Sequence, residues 1–230
     1  MSSRLLSLDI VSILDDVYRR YLLPYERLIV VFWISAFIAY GFIALNHTIA
    51  GDDWGSFQSS HFEYIAELEV GRWTRPLIWA VLADNYLAPT FTLALFVLAE
   101  TLSFLLVARV IGLVDRFSIF ALLAISALFP FWAEFVNFKM QHSTFCFGLP
   151  MSCLSGAAAW RAFLALRSYS RHHAVTWAVT AALCLSLAAS TYQGLAPFAA
   201  ILFLGAALNR IAFRAGEPPS QLRYAKYSES

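Results

Sequence analysis

The sequence predicts an all-α fold: a polytopic transmembrane helix bundle of about six spans, each near 20 residues long, with both termini cytoplasmic. Three observations predict it. Of 230 residues, 60% are apolar and only 13% are charged, whereas a soluble globular domain carries roughly 45–50% and about 25%. The apolar residues gather into stretches long enough to cross a bilayer. The basic residues gather on one side of those stretches. The composition excludes an ordinary soluble enzyme. It also excludes intrinsic disorder, because 16% of residues are aromatic and the net charge is +1. That near-neutral balance predicts no nucleic-acid partner.

The elements follow in order. Residues 1–27 form a cytoplasmic amphipathic segment, with Leu6, Ile10, Ile13, Leu14, Val17 and Tyr21 at helical spacing and Asp15, Asp16, Arg19 and Arg20 opposite. The apolar run starts only at Leu28, lacks a small-residue cleavage site and is preceded by acids as well as arginines, so these first residues are not read as a cleavable signal peptide. Apolar stretches then run over residues 28–45, 89–111, 117–133, 145–166, 174–190 and 195–213. Each suits a tilted span across ~30 Å of hydrocarbon. Residues 76–87 are apolar but interrupted by Asp84 and Asn85, and read as an interfacial or re-entrant helix. The transmembrane domain is thus 28–213 with an outer loop at 46–88, and 214–230 is a polar cytoplasmic tail. The positive-inside rule sets the orientation. Of the 16 basic residues, all but Arg72, Arg75 and Lys139 fall on the side of the two termini. Reading 76–87 as another span would invert every later loop and spoil that asymmetry.

Polar residues beside or within membrane helices are costly and therefore informative. Cys146, Cys153 and Cys184 all fall inside spans, and no Cys/His cluster has zinc spacing. Glu100 lies mid-span and reads as a hydrogen-bonded acid of the bundle interior. Four clusters fall on the outer side. Asn46 to Trp54 contains the adjacent carboxylates Asp52 and Asp53. These suit a general base on a hydroxyl, oxygen ligands for a divalent cation such as Mg or Mn, or a helix-capping turn. A surface helix with Phe62, Ile65 and Leu68 on one face leads into Gly71-Arg72-Trp73-Thr74-Arg75-Pro76. Arginine presents a fork of donors suited to phosphate. Tryptophan offers a face for a sugar or an anchor among headgroups. The third cluster, Glu134 to Ser143, holds Lys139, Gln141 and His142; the fourth is Ser190-Thr191-Tyr192-Gln193-Gly194. One face then carries a carboxylate pair, three cations, aromatics and amides. That inventory fits a reaction on a phosphate-linked, polyhydroxylated substrate.

Asp52-Asp53-Trp54 after the first span, Gly71-Arg72-Trp73, and Ser190-Thr191-Tyr192-Gln193-Gly194 resemble, in that order, the bacterial O-antigen glucosyltransferase II family. These are integral membrane glycosyltransferases of the GT-C class, and the resemblance runs from about residue 28 to 208. It implies a GT-C-like fold and a hexose, glucose, carried on polyprenyl phosphate. It implies transfer at the periplasmic face of the bacterial inner membrane to a polysaccharide or lipid-linked acceptor, as in lipopolysaccharide modification. It implies Asp52 or Asp53 as catalytic base. Arg72, Arg75 and Lys139 would serve the phosphate, and Trp54, Trp73 and Tyr192 the sugar or lipid, with Gln141, His142 and Gln193 among the substrate-binding residues. Single displacement would invert the donor's anomeric configuration. Members of that family are usually longer and have more spans, so the resemblance implies a short or truncated member. The competing reading is non-catalytic: a polytopic protein that binds or flips lipid-linked sugars, or partners a catalytic subunit. A transporter has only Glu100 in its favour and ranks last.

Overall fold

The structure is a computed structural model that describes residues 18–19, 23–45, 71–83, 89–113, 115–128, 141–168 and 170–213. A 3-10 turn at Leu23–Tyr25 leads into α1, Glu26–Leu45. There follow α2 at Thr74–Ala83, α3 at Pro89–Ile111, α4 at Arg116–Leu128, α5 at Gln141–Arg167 and α6 at Arg171–Thr191. A second 3-10 turn, Gln193–Leu195, opens into α7 at Ala196–Phe213. No strand occurs among the described residues, as an apolar medium requires of a chain whose backbone groups must pair within one segment. Four stretches are long and apolar enough to cross a membrane: Phe91–Ile111, Thr144–Arg167, Arg171–Thr191 and Gln193–Ala212. The chain is a helical membrane protein.

Most expected spans coincide with helices, and the differences have a common cause. α1 and α6 begin two and three residues before the expected 28 and 174, and α5 begins four before the expected 145. Hydropathy marks the hydrocarbon slab, whereas a helix continues into polar residues such as Glu26, Gln141 and Arg171. The third expected span, 117–133, coincides with α4 as far as Leu128; its remainder lies outside the described residues. Of the amphipathic segment 1–27 only residues 18–19 and 23–27 are described, the latter as the 3-10 turn and the start of α1; the helix expected near 62–68 and the tail lie outside the described residues. The stretch expected to be interfacial, 76–87, overlaps α2, whose ten residues rise about 15 Å, half the hydrocarbon thickness. α2 packs on α5 and α6, with Thr74 and Ile78 buried and Leu77 and Val81 exposed.

α5 is the central helix, with α6, α3 and α7 against it. Phe32 and Ala36 of α1, Phe96 of α3, Leu123 of α4, Leu149 of α5 and Leu202 of α7 share one core. Lipid is as apolar as leucine, so close backbone approach and interhelical hydrogen bonds hold such a bundle. Gly148, Ser152 and Gly156 recur every fourth residue on α5 and face the start of α7. Ser152 Oγ donates to Leu195 O at 2.6 Å, and Ser155 Oγ to Ala181 O of α6 at 2.8 Å. A Cβ on Gly156 would stand 2.7 Å from Ala199 O and 3.0 Å from Leu202 Cβ. Gly156→Ala therefore has to push α7 outward. Overpacking of this kind costs about 1–3 kcal/mol, so the purified protein should melt several degrees lower. Gly205→Ala, whose Cβ would meet only Ile111 Cγ2 at 3.7 Å, is the control and should melt with wild type. Equal melting temperatures for the two variants would mean that α5 and α7 do not approach so closely.

The helices also share a polarity. Phe96 meets Phe145 edge-on with ring centroids 6.3 Å apart, and the Cys146 thiol donates to Thr92 O at 3.7 Å, so α3 and α5 run parallel from one end. α6, which starts at Arg171 shortly after α5 ends at Arg167, returns to that end. At the opposite end Asn209 Nδ2 donates to Ile111 O, which sets the C-terminus of α7 beside that of α3. Gly112, at φ 82°, closes α3 with the paired bonds of a left-handed cap, Leu113 N–H to Ala108 O at 2.8 Å and Gly112 N–H to Arg109 O at 3.3 Å. Asp115 then caps α4, accepting the Ser118 N–H at 2.7 Å. Hydrogen bonds from Ser118 hold the Asp115 carboxyl below its ordinary range, so the cap is fully present above that range and is lost as acid protonates it. Arg109, Arg116, Arg167, Arg171 and Arg210 consequently share this end of the bundle, and Arg72 stands at the other.

Glu100 is fully buried, as its mid-span position implied, but the expected hydrogen bonds are not present among the described residues. Ser126 lies beside it, yet its hydroxyl donates to Leu123 O at 2.7 Å. The nearby polar link joins α1 to α3 instead, Trp33 Nε1 donating to Thr101 Oγ1 at 3.0 Å.

Candidate functional site

Two loops meet at the end of the bundle away from the arginine-rich one. The first reaches α2 through Gly71, whose φ of 78° is a left-handed turn that side-chain-bearing residues resist. Arg72 and Trp73 follow, and α2 begins at Thr74. The second begins where α6 stops. Tyr192 is extended at φ −159° and ψ 118°, with its N–H still bonded to Ala188 O, and the chain re-enters a tight turn through Gln193–Leu195. A Cβ on Gly194 would lie 2.5 Å from Tyr192 Cε1, so glycine is what allows the tyrosine ring to fold back over this turn.

Arg72 bridges the two loops across 121 positions of sequence, its Nε donating to Gln193 Oε1 at 3.1 Å. Its Cζ lies over the Tyr192 ring, 5.0 Å from the centroid. The ring in turn packs on Phe145 of α5 at 5.7 Å, and Phe145 on Phe96 of α3. The guanidinium is therefore held by its edge and by its face, on an aromatic column rooted in the bundle core. A planar cation oriented in this way is suited to an anionic, phosphate-bearing group. Beneath it, Thr74 Oγ1 lies 3.1 Å from Ser190 Oγ and 2.9 Å from Thr191 Oγ1.

The structure thus brings together three residues expected from sequence, Arg72, Tyr192 and Gln193, with Trp73 beside them and 51% exposed. Arg75 lies in the first turn of α2, and Gln141 and His142 open α5; these three are placed by their backbone alone. Asp52, Asp53, Trp54 and Lys139 lie outside the described residues. Sequence reasoning assigned no role to Phe145, Gly194 or the hydroxyls of Thr74, Ser190 and Thr191. The motifs contained all but Phe145, but nothing in them paired Thr74 with residues more than a hundred positions away. Among the described residues no group of His, Cys, Asp and Glu could hold a metal ion.

Neither a curated protein nor a solved structure matches the chain at a significant level. A family does. The profile described as Glucosyl transferase GtrII matches residues 41–214, which contain both loops of the site and α2 to α7. With that match covering most of its length, the chain belongs to the glucosyltransferase II family.

Proposed function

We propose that the protein transfers glucose from a polyprenyl-phosphate donor to a surface polysaccharide or lipid-linked acceptor, as an inverting GT-C enzyme working at the periplasmic face of the bacterial inner membrane. The observation that carries this reading is the Arg72 junction, a cation fixed by Gln193 and Tyr192 within a glycosyltransferase family match. The gathering of Arg109, Arg116, Arg167, Arg171 and Arg210 at the opposite end supports the orientation, since cytoplasmic loops collect Lys and Arg. In this reading six spans place both termini in the cytoplasm and the loop 46–88 outside, with 1–27 and 214–230 as cytoplasmic flanks. Asp52 or Asp53 removes the proton from an acceptor hydroxyl as its oxygen attacks the anomeric carbon. The bond from that carbon to the phosphate oxygen breaks, and Arg72, with Arg75 and Lys139, neutralises the departing lipid phosphate. Trp54, Trp73 and Tyr192 bind sugar or lipid, and Gln141, His142 and Gln193 contribute to substrate binding.

Purified protein in vesicles carrying labelled polyprenyl-phosphate glucose and an acceptor tests this directly. The expected result is labelled product with the anomeric configuration inverted. Binding of the donor without turnover would overturn the catalytic reading in favour of a carrier or partner subunit. Repeating the assay with a chelator separates a base role of the Asp52–Asp53 pair from a cation-holding one.

A further inference from the structure

Three hydroxyls meet at the site in a place sealed from solvent. Thr74 at the start of α2 and Ser190 and Thr191 at the end of α6 are all buried. Besides their contacts with Thr74, the Ser190 and Thr191 hydroxyls donate to Leu187 O, at 2.9 and 2.7 Å. Three hydroxyl protons therefore serve four contacts, and the cluster stays bonded whichever of them is momentarily relinquished. Threonine and serine in a membrane helix satisfy themselves by bonding back one turn, as Ser190 and Thr191 do. The additional bond that Thr74 makes with one or the other of them is a link between elements, at buried positions where a low local dielectric strengthens it.

The link stands directly behind the Arg72 junction. Arg72 precedes Thr74 by two residues, and Gln193 follows Thr191 by two. Each strand of the clasp leads straight into one partner of the pair. We propose that Thr74, Ser190 and Thr191 form a positioning clasp, which fixes the Gly71–Thr74 and Thr191–Gln193 backbones so that Arg72 meets the face of Tyr192 and the amide of Gln193. Thr74 is a positioning residue that acts through Arg72 on the phosphate leaving group. This deepens the function proposed above and rests on it.

Thr74→Val keeps the shape of the side chain and removes its hydroxyl; Thr74→Ser keeps the hydroxyl. Misplacing a reacting group by about 1 Å costs up to roughly 10²-fold in rate. In the full chain, reconstituted in vesicles, Thr74→Val should lower kcat at least about tenfold with little change in KM for the donor. Thr74→Ser should restore it, and Thr74→Val should have no further effect in an Arg72→Ala background. Backbone amides at 71–74 and 192–195 should exchange hydrogen faster in Thr74→Val and not in Thr74→Ser. Unchanged exchange in Thr74→Val overturns the clasp. So does wild-type kcat in Thr74→Val, or an equal loss with and without Arg72. Because exchange needs no substrate, it decides the clasp even if the wild-type protein transfers no sugar, an outcome that would overturn the proposed reaction alone.

Discussion

Asp52→Asn and Asp53→Asn, made singly and together, are expected to separate a catalytic carboxylate from a bystander. One single variant and the double should lose transfer by about 10²–10⁴-fold, the usual contribution of a positioned proton acceptor. The other single variant should lose less. Asparagine keeps the size and the capping ability of aspartate, so the amount of folded protein in the membrane should not change. The physical basis is specific. An acceptor hydroxyl attacks a sugar carbon poorly while it holds its proton, and an amide cannot take that proton. The measurement is initial rate of label transfer per folded protein, with donor binding measured in parallel. Loss of transfer with retained donor binding is the expected pattern. Full activity in both single variants and in the double would show that neither carboxylate takes the proton.

Arg72 gives the second large effect. Arg72→Ala should lower kcat by about 10²-fold or more, the loss seen when one donor aimed at developing negative charge is removed. Arg72→Lys is the more telling substitution, because it preserves the charge and removes the planar fork. Lysine has no counterpart of the Nε that bonds Gln193 at 3.1 Å, and no flat face to lie on Tyr192. It should therefore recover only a small part of the rate, with KM for the donor moving less than kcat. A lysine variant as active as wild type would mean that charge alone suffices and that the geometry of the junction has no catalytic role.

The membrane helices were legible in the sequence because a bilayer imposes a length on every apolar stretch. Their ends were less so. Glu26 and Gln141 are helical yet polar, and hydropathy does not register a helix beyond the hydrocarbon. The packing of the helices was not legible either. Gly148, Ser152 and Gly156 sit four residues apart on α5, but small residues at that spacing also occur on faces that contact nothing closely; only the neighbouring Ala199 carbonyl gives Gly156 its meaning. For the site, the order of the motifs indicated which residues belonged together. Their meeting did not follow from it, because the Arg72–Gln193 bond closes 121 positions of chain. The hydroxyl clasp was hidden for a further reason. Serine and threonine are common in membrane helices and usually bond their own backbone, so the type of residue carries no signal of an interhelical role.

Glu100 bears on how α3 comes to rest at one angle about its own axis. Large aliphatic and aromatic side chains surround this helix on every side. Turning it within the bilayer would exchange leucine against lipid for leucine against protein, at little net cost. Four of its polar residues do not permit that freedom. Thr92, Glu100, Thr101 and Ser103 are all buried, and a rotation that brought the carboxylate to the hydrocarbon would cost several kcal/mol. A residue that is unfavourable wherever it lies inside a membrane is least unfavourable in a single azimuth. The penalty carried by Glu100 thus separates the native rotation of α3 from its many near-equal alternatives, a discrimination that its oily surface cannot provide.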